Sequence, residues 1–174
     1  MQKSHSASID AASAFLVPPH LRHPSGAVVA WVTEPPGVVA QLTRPVRGTA
    51  DLAEWLVGPV FEHLIVRFPA APRLIWVLDL RQMTGRDWLA RALLIEKVKT
   101  LRAGMVRAVV IPPIDASPAY RAALRVAADV LRVFGARVDI ERSLTKVLSE
   151  HGLRAAERLL PGIVPIAYNA RIWL

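Results

Sequence analysis

Short apolar, β-branched runs alternate with longer amphipathic segments between Gly37 and Gly152. The runs read GVVAQLT, RLIWVLDL, VRAVVI and ARVDI, and the segments between them read DLAEWLVGPVFEHLIVRF, RDWLARALLIEKVKTLRAG and SPAYRAALRVAADVLRVFG. Such runs are typical of strands, whereas apolar positions three or four residues apart are typical of helices. The alternation therefore predicts an α/β fold with a mixed, mostly parallel sheet and covering helices.

An additional strand, AVVAWVT (27–33), precedes this repeat. The turn Glu34-Pro35-Pro36-Gly37 separates it from GVVAQLT, because proline fixes φ and glycine allows a positive φ. The two strands are therefore predicted to form an antiparallel N-terminal β-hairpin. RLIWVLDL is apolar on both faces until Asp79, as expected for a central parallel strand.

Turn and capping residues predict where the helices begin, bend and end. The first helix begins near Thr49–Asp51 and is expected to bend at Gly58-Pro59, because proline lacks an N–H and clashes with the preceding turn. The second spans about 87–102 and the third begins at Ser117-Pro118, where serine can cap and proline is tolerated. The residues predicted to face the sheet are Trp88, Leu94, Val98 and Leu101 in the second helix, and Tyr120, Ala123, Leu124, Ala127, Val130, Leu131 and Phe134 in the third.

The remaining segments suggest a division into three parts. Residues 1–25 lack periodicity and are interpreted as a flexible tail with an apolar docking piece at Ala14–Val17; residues 26–152 form the domain. Residues 153–174 are expected to form a helix and an apolar tail that packs on the domain or on a neighbouring subunit. Tyr168, Ile172 and Trp173 are the predicted interface residues of that tail, because large apolar side chains favour burial.

Composition excludes some classes of function and leaves others open. The 174 residues carry a formal net charge of +8, which allows attraction to nucleic acid, anionic lipid or acidic proteins. The absence of cysteine excludes disulfides and thiol chemistry. No apolar run reaches the roughly 18–20 residues that span a bilayer, and the N-terminus is a poor secretory signal. A cytoplasmic location without a transmembrane segment is therefore expected.

The order of elements, together with LIWVLDLRQMTG, RAVVIPP and VDIERSLTKVLSEHGL, resembles the STAS domain of anti-sigma factor antagonists and SpoIIAA-like proteins over about residues 27–152. The resemblance implies a STAS-like fold and a non-enzymatic, regulatory bacterial module that acts by protein–protein contact, and self-association is expected. Regulated antagonists carry an Asp-Ser-Ser/Ala-Gly-like segment with a phosphorylated serine. Here Thr84 is the sole hydroxyl residue after Asp79 in this loop, and its spacing does not match that site.

Asp79 is the main candidate for chemistry, because ligands bind at the carboxyl ends of strands in open α/β sheets. It lacks the second carboxylate of an Asp-x-Asp phosphotransferase motif, so the alternative is that it caps the following loop or forms an ion pair with Arg81 or Arg86. A small-ligand site for a nucleotide, phosphate or acyl group, or an enzyme, would use the strand-end loops with Arg81, Thr84, Arg86 and Ser117. No catalytic residue, metal or cofactor is assigned: His20 and His23 make a poor metal site, and His63 is expected at the surface.

Arg121, Arg125 and Arg132 recur at helical spacing and are predicted to form a basic face. Such a face solubilises the protein, or it meets an acidic partner or phosphates. Aromatic residues make up 6% of the chain and do not interleave with these arginines, which argues against a platform for single-stranded nucleic acid. Binding of the basic surface to anionic lipid at a membrane periphery, or less favourably to nucleic acid, remains an alternative.

Overall fold

The computed structural model describes residues 13–68, 73–100, 106–133, 135 and 137–156. Most of its strands form one mixed sheet of seven strands, in the order β1-β2-β3-β5-β7-β8, with β9 also paired to β2. The strands of this sheet are β1 (Leu21–Arg22), β2 (Val28–Glu34), β3 (Gly37–Leu42), β5 (Leu74–Asp79), β7 (Val106–Ile111), β8 (Arg137–Ile140) and β9 (Arg154–Ala155). The predicted α/β class with a mostly parallel sheet is confirmed.

The predicted hairpin is also confirmed, because β2 and β3 pair antiparallel with Val28 opposite Leu42 and Thr33 opposite Gly37. From β3 onward the neighbouring strands are parallel, and each new strand is added on the same side. Right-handed crossovers that advance in one direction place their helices on one face. Among the described strands the order does not reverse after β3, and such a reversal is where doubly wound folds form their nucleotide-binding crevice.

Five α-helices and one π-helical segment are described. They are α1 (Ala50–Trp55), the π segment (Leu56–Val60), α2 (Phe61–Arg67), α3 (Trp88–Thr100), α4 (Pro118–Val133) and α5 (Leu144–Glu150). Thr49 caps α1 by accepting a hydrogen bond from the Leu52 N–H. The π segment contains Pro59, which is the helix irregularity that the Gly58-Pro59 pair predicts.

Two hydrophobic clusters cover the two faces of the sheet. The larger contains Trp55, Leu64 and Trp76 and joins α1, the π segment, α2, α3 and α4 to the sheet. The smaller contains Val77 and Val147 and lies between the sheet and α5. The molecule therefore has three layers, with four helices on one face and α5 on the other.

The N-terminal segment from residue 14 packs against the sheet, although the sequence favoured a flexible tail up to residue 25. Ala14 and Phe15 join the smaller cluster, as the predicted docking piece requires, while Leu16 stays exposed. The Trp31 indole donates to the Val17 carbonyl over 2.9 Å, and the Val32 N–H donates to His20 Nδ1 over 2.9 Å. These contacts, and the pairing of β1 with β2, make this segment part of the fold.

A second, small sheet was not predicted. It pairs β4 (Val46–Gly48) with β6 (Met83–Arg86) in parallel, beside the carboxyl end of the main sheet. β6 occupies residues that the sequence suggested were loop, and the Arg47 Nε to Asp87 Oδ1 ion pair of 2.6 Å fixes β4 to the start of α3.

Two predicted buried stripes need correction. Trp88, predicted to face the sheet, is 79% exposed, since it begins α3 directly after β6. In α4 the buried face consists of Leu124, Ala128 and Leu131 with half-buried Tyr120 and Ala127, whereas Ala123 and Val130 are exposed. α4 carries two adjacent apolar stripes, and the periodicity of the sequence predicts them as a single buried face. Val98, Leu101 and Phe134 lie outside the residues whose side chains are described.

The chain after Gly152 also differs from the expectation of a helix over 153–160. Gly152 has φ of 60° and ends the α5 region, as predicted. Residues 154–155 then form β9, which pairs with Thr33 and Glu34 of β2. An open strand edge offers hydrogen bonds that outcompete the weak helical preference of this short segment.

Candidate functional site

Asp79 is enclosed in a network of hydrogen bonds at the end of β5. Its side chain is 2% exposed, and the Arg81 guanidinium donates to both oxygens, through Nε at 2.9 Å and Nη2 at 2.7 Å. The Arg81 N–H adds a third bond of 3.2 Å, and Gln41 Nε2 donates over 3.2 Å from the neighbouring strand β3. The ion pair between Asp79 and Arg81, one of the two readings of the sequence, is therefore present.

This network reaches the N-terminal segment. The Ala14 N–H donates to Gln41 Oε1 over 2.9 Å, while the amide nitrogen of the same glutamine holds Asp79. The hydrogen bonds with Asp79 raise the pKa of Arg81, so the guanidinium stays charged. A carboxylate with this many donors and so little exposure is poorly placed to act as a nucleophile or general base.

The other residues predicted with Asp79 do not converge on it. Thr84 is exposed in β6, next to the register shift against β4. Ser117 is exposed and caps α4 by accepting from the Tyr120 N–H over 3.1 Å. Arg86 lies with its guanidinium carbon 4.8 Å from the centre of the Tyr120 ring. Of the predicted set, only Asp79 and Arg81 are in contact in the described structure.

An apolar cavity that sequence analysis missed lies beside Arg86. It has a volume of about 160 Å³ and lies between the sheet and helices α1, α3 and α4. Its lining includes Leu52, Trp76, Leu94 and Leu124. Tyr120 and Arg86 are among its few polar lining residues, and burial raises the pKa of Tyr120 although Arg86 opposes that shift. No motif in the sequence could signal this cavity, because its residues come from distant segments.

The predicted basic face is divided. Arg121 and Arg125 are exposed on α4. Arg132 is bound by its own domain, since Nη1 donates to Asp129 over 2.6 Å and Nη2 donates to the Val138 carbonyl over 2.7 Å. A second basic region, also unpredicted, lies near the amino ends of the strands, where Arg73, Arg107 and Arg137 line a groove of about 220 Å³. Asp139 neutralises Arg107 across 2.6 Å.

The histidines form no metal site in the described part of the chain, where no group of three candidate ligands occurs. His63 is buried and not at the surface as predicted, because its helix turns it toward the interior. His23 is also buried, and its Nε2 lies 3.1 Å from Asp51. Burial is the largest cause of the lowered pKa of His20, His23 and His63.

Tyr168, Ile172 and Trp173, the predicted interface residues, lie outside the described residues. Among the helices that are described, none combines the length and the apolar character needed to cross a membrane. No family model matches the chain, and a search of curated proteins finds no match either.

Proposed function

We propose that this chain is a STAS-like, non-enzymatic module that works by protein–protein contact and that associates with a second copy through α4. The order of elements supports the STAS-like assignment, since a hairpin is followed by parallel strands whose crossover helices share one face. The enclosure of Asp79 supports a non-enzymatic role, because it removes the best candidate base.

The observation that carries the self-association is an exposed apolar stripe on α4. This α4 stripe consists of Ala119, Ala123, Val126, Val130 and Val133. The three valines are 63%, 47% and 84% exposed, respectively. The steps of four, three, four and three residues are those of a coiled-coil seam, which is the surface by which one helix packs against another.

The sizes along the α4 stripe favour an antiparallel pair of identical helices. Alanines occupy its N-terminal end and valines the rest. If two copies meet about a twofold axis at Val126, Ala119 of one lies opposite Val133 of the other, and Ala123 lies within one residue of Val130. Small residues then face large ones along the seam, which is how facing helices fill their interface.

Light scattering after size exclusion tests the assembly, and we expect a mass near twice the monomer's 19.1 kDa. Val126→Glu should yield the monomer, since it brings two like charges together at the axis. Arg125→Glu adds the same side chain on the polar face of α4 and should leave the dimer intact. A wild-type protein that stays monomeric at high concentration, or equal effects of the two substitutions, would contradict the proposal.

Cysteine crosslinking tests the orientation, because the chain contains no cysteine of its own. Mixing Ala119→Cys and Val133→Cys chains should give an oxidised heterodimer, whereas each chain alone should crosslink poorly. Val126→Cys should crosslink with itself, and Arg125→Cys should not. Efficient self-crosslinking of the Ala119→Cys chain would instead indicate parallel helices.

A further inference from the structure

Two buried hydrogen-bond donors line the cavity beneath α3 and α4 and have no partner among the described residues. The Trp76 side chain is 1% exposed and lines the cavity, yet its Nε1 has no hydrogen-bond partner among the described residues. The Tyr120 hydroxyl lines the same cavity and has none either. Burying a polar group without a partner destabilises a fold. Two donors without partners on the wall of one cavity point to a bound ligand, and the Tyr120 hydroxyl, whose ring lies against Arg86, is the donor that a charged acceptor can satisfy.

Arg86 adds a positive charge to this arrangement. It also lines the cavity, and its guanidinium stacks over the Tyr120 ring at 4.8 Å, where a cation is favoured by the ring face. No carboxylate among the described residues forms an ion pair with Arg86, whereas the neighbouring Arg81 and Arg47 both have one. The raised pKa of Tyr120 keeps its hydroxyl protonated at neutral pH, so it remains a donor.

We propose that this cavity binds a small monocarboxylate, with the carboxylate at Arg86 and Tyr120 and an apolar body between the sheet and the helices. The polar groups named above are donors, which favours an anion over a cation. The volume of about 160 Å³ is close to the roughly 150 Å³ of an apolar protein cavity that binds benzene. The ligand class is therefore an arylalkanoate with one ring or a medium-chain alkanoate. This inference does not depend on the proposed dimer.

Titration followed by nuclear magnetic resonance tests the proposal with two probes, 3-phenylpropionate and octanoate. We expect saturable, one-to-one shifts of residues around the cavity with at least one of them, and the better probe distinguishes an aryl from an alkyl ligand. The neutral 3-phenylpropanamide should bind about tenfold more weakly or worse than 3-phenylpropionate, because it lacks the charge that Arg86 pairs with.

Substitutions separate the carboxylate contacts from the apolar part of the site. Arg86→Gln and Tyr120→Phe should each weaken carboxylate binding by about tenfold. Ala127→Leu should block it by filling the cavity that Ala127 lines. Arg125→Gln, which removes an exposed charge from the same helix, should leave binding unchanged.

Tyr120→Phe also provides a readout that needs no ligand. The substitution removes a buried hydroxyl without a partner, so the ligand-free variant should melt at a higher temperature than the wild type. The proposal is overturned if neither carboxylate binds saturably, if the amide binds as well as the acid, or if Arg86→Gln and Arg125→Gln behave alike.

Discussion

The carboxylate of Asp79 has lost contact with solvent because Arg81 and Gln41 donate to both of its oxygens. The position of an acid at a strand end could be predicted from the sequence, and so could the neighbouring arginine. The role of Gln41 could not, because it depends on the parallel register that places Gln41 beside Asp79. Pairing two residues 38 positions apart requires knowledge of which strands are neighbours.

Replacement of Asp79 should therefore cost stability. We expect Asp79→Ala to lower the free energy of unfolding by about 3–5 kcal/mol, because it leaves a partly buried guanidinium without its carboxylate. Asp139→Ala is the control, since its ion pair with Arg107 is largely solvated and should contribute less than about 1 kcal/mol. Urea denaturation of both variants measures the difference. Equal losses would show that the Asp79 network stabilises the fold no more than the ion pair between Asp139 and Arg107 does.

At the scale of elements, the close approach of β3 and β5 depends on Gly37. A methyl group built on Gly37 would lie 2.5 Å from the Ile75 carbonyl oxygen, which belongs to the backbone of the partner strand. The hairpin turn that precedes β3 thus requires glycine for space. The sequence suggested glycine there for its conformational freedom, whereas its φ is not positive in the structure.

Gly37→Ala should destabilise the protein by about 1–3 kcal/mol, the usual cost of forcing an extra carbon into a packed site. Gly85→Ala is the matched control in β6, where a methyl group meets no atom within 4 Å. Thermal melts of the two variants give the comparison. A Gly37→Ala protein as stable as the control would mean that β3 and β5 separate at little cost.

Most strands and helix starts could be predicted from the sequence because local signals determine them. Ser117 caps the helix that it is predicted to begin, and Pro118 occupies the first turn. β4, β6 and β9 were missed because each is short and is stabilised by pairing with a distant strand. Ala123 and Val130 of the α4 stripe were wrongly predicted to face the sheet for a related reason, since periodicity identifies an apolar face without showing which part of it is covered.

For the whole molecule, three histidines link stability to pH. His20, His23 and His63 have lowered pKa values, for which burial is the largest cause, and the nearby Arg67 further lowers those of His20 and His63. Asp51 partly offsets the effect at His23. The unfolded chain, with histidine pKa values of about 6.5, therefore binds more protons than the folded chain just below that pH.

The contribution of these histidines to the free energy of unfolding should be fully present above about pH 6.5. It should be lost as the pH is lowered through their pKa values in the folded chain. Urea unfolding at several pH values measures how steeply the free energy of unfolding changes with pH. The range from about pH 5 to pH 7 spans the ordinary histidine pKa. His63→Leu should reduce that slope by removing one buried histidine. If the pH dependence of unfolding is the same in His63→Leu as in the wild type, this histidine does not contribute to it.

The two ends of the described chain lie end to end along one edge of β2, because β1 pairs with Val29 and Ala30 while β9 pairs with Thr33 and Glu34. On the ribosome, β1, β2 and β3 emerge early and can pair at once. The stretch at Thr33 and Glu34 must wait until residue 155 has been synthesised. A nascent chain arrested earlier thus carries an unpaired strand edge, the kind of surface that recruits chaperones or other nascent chains. Synthesis of β9 closes that edge, so this strand also protects the folded protein from its neighbours.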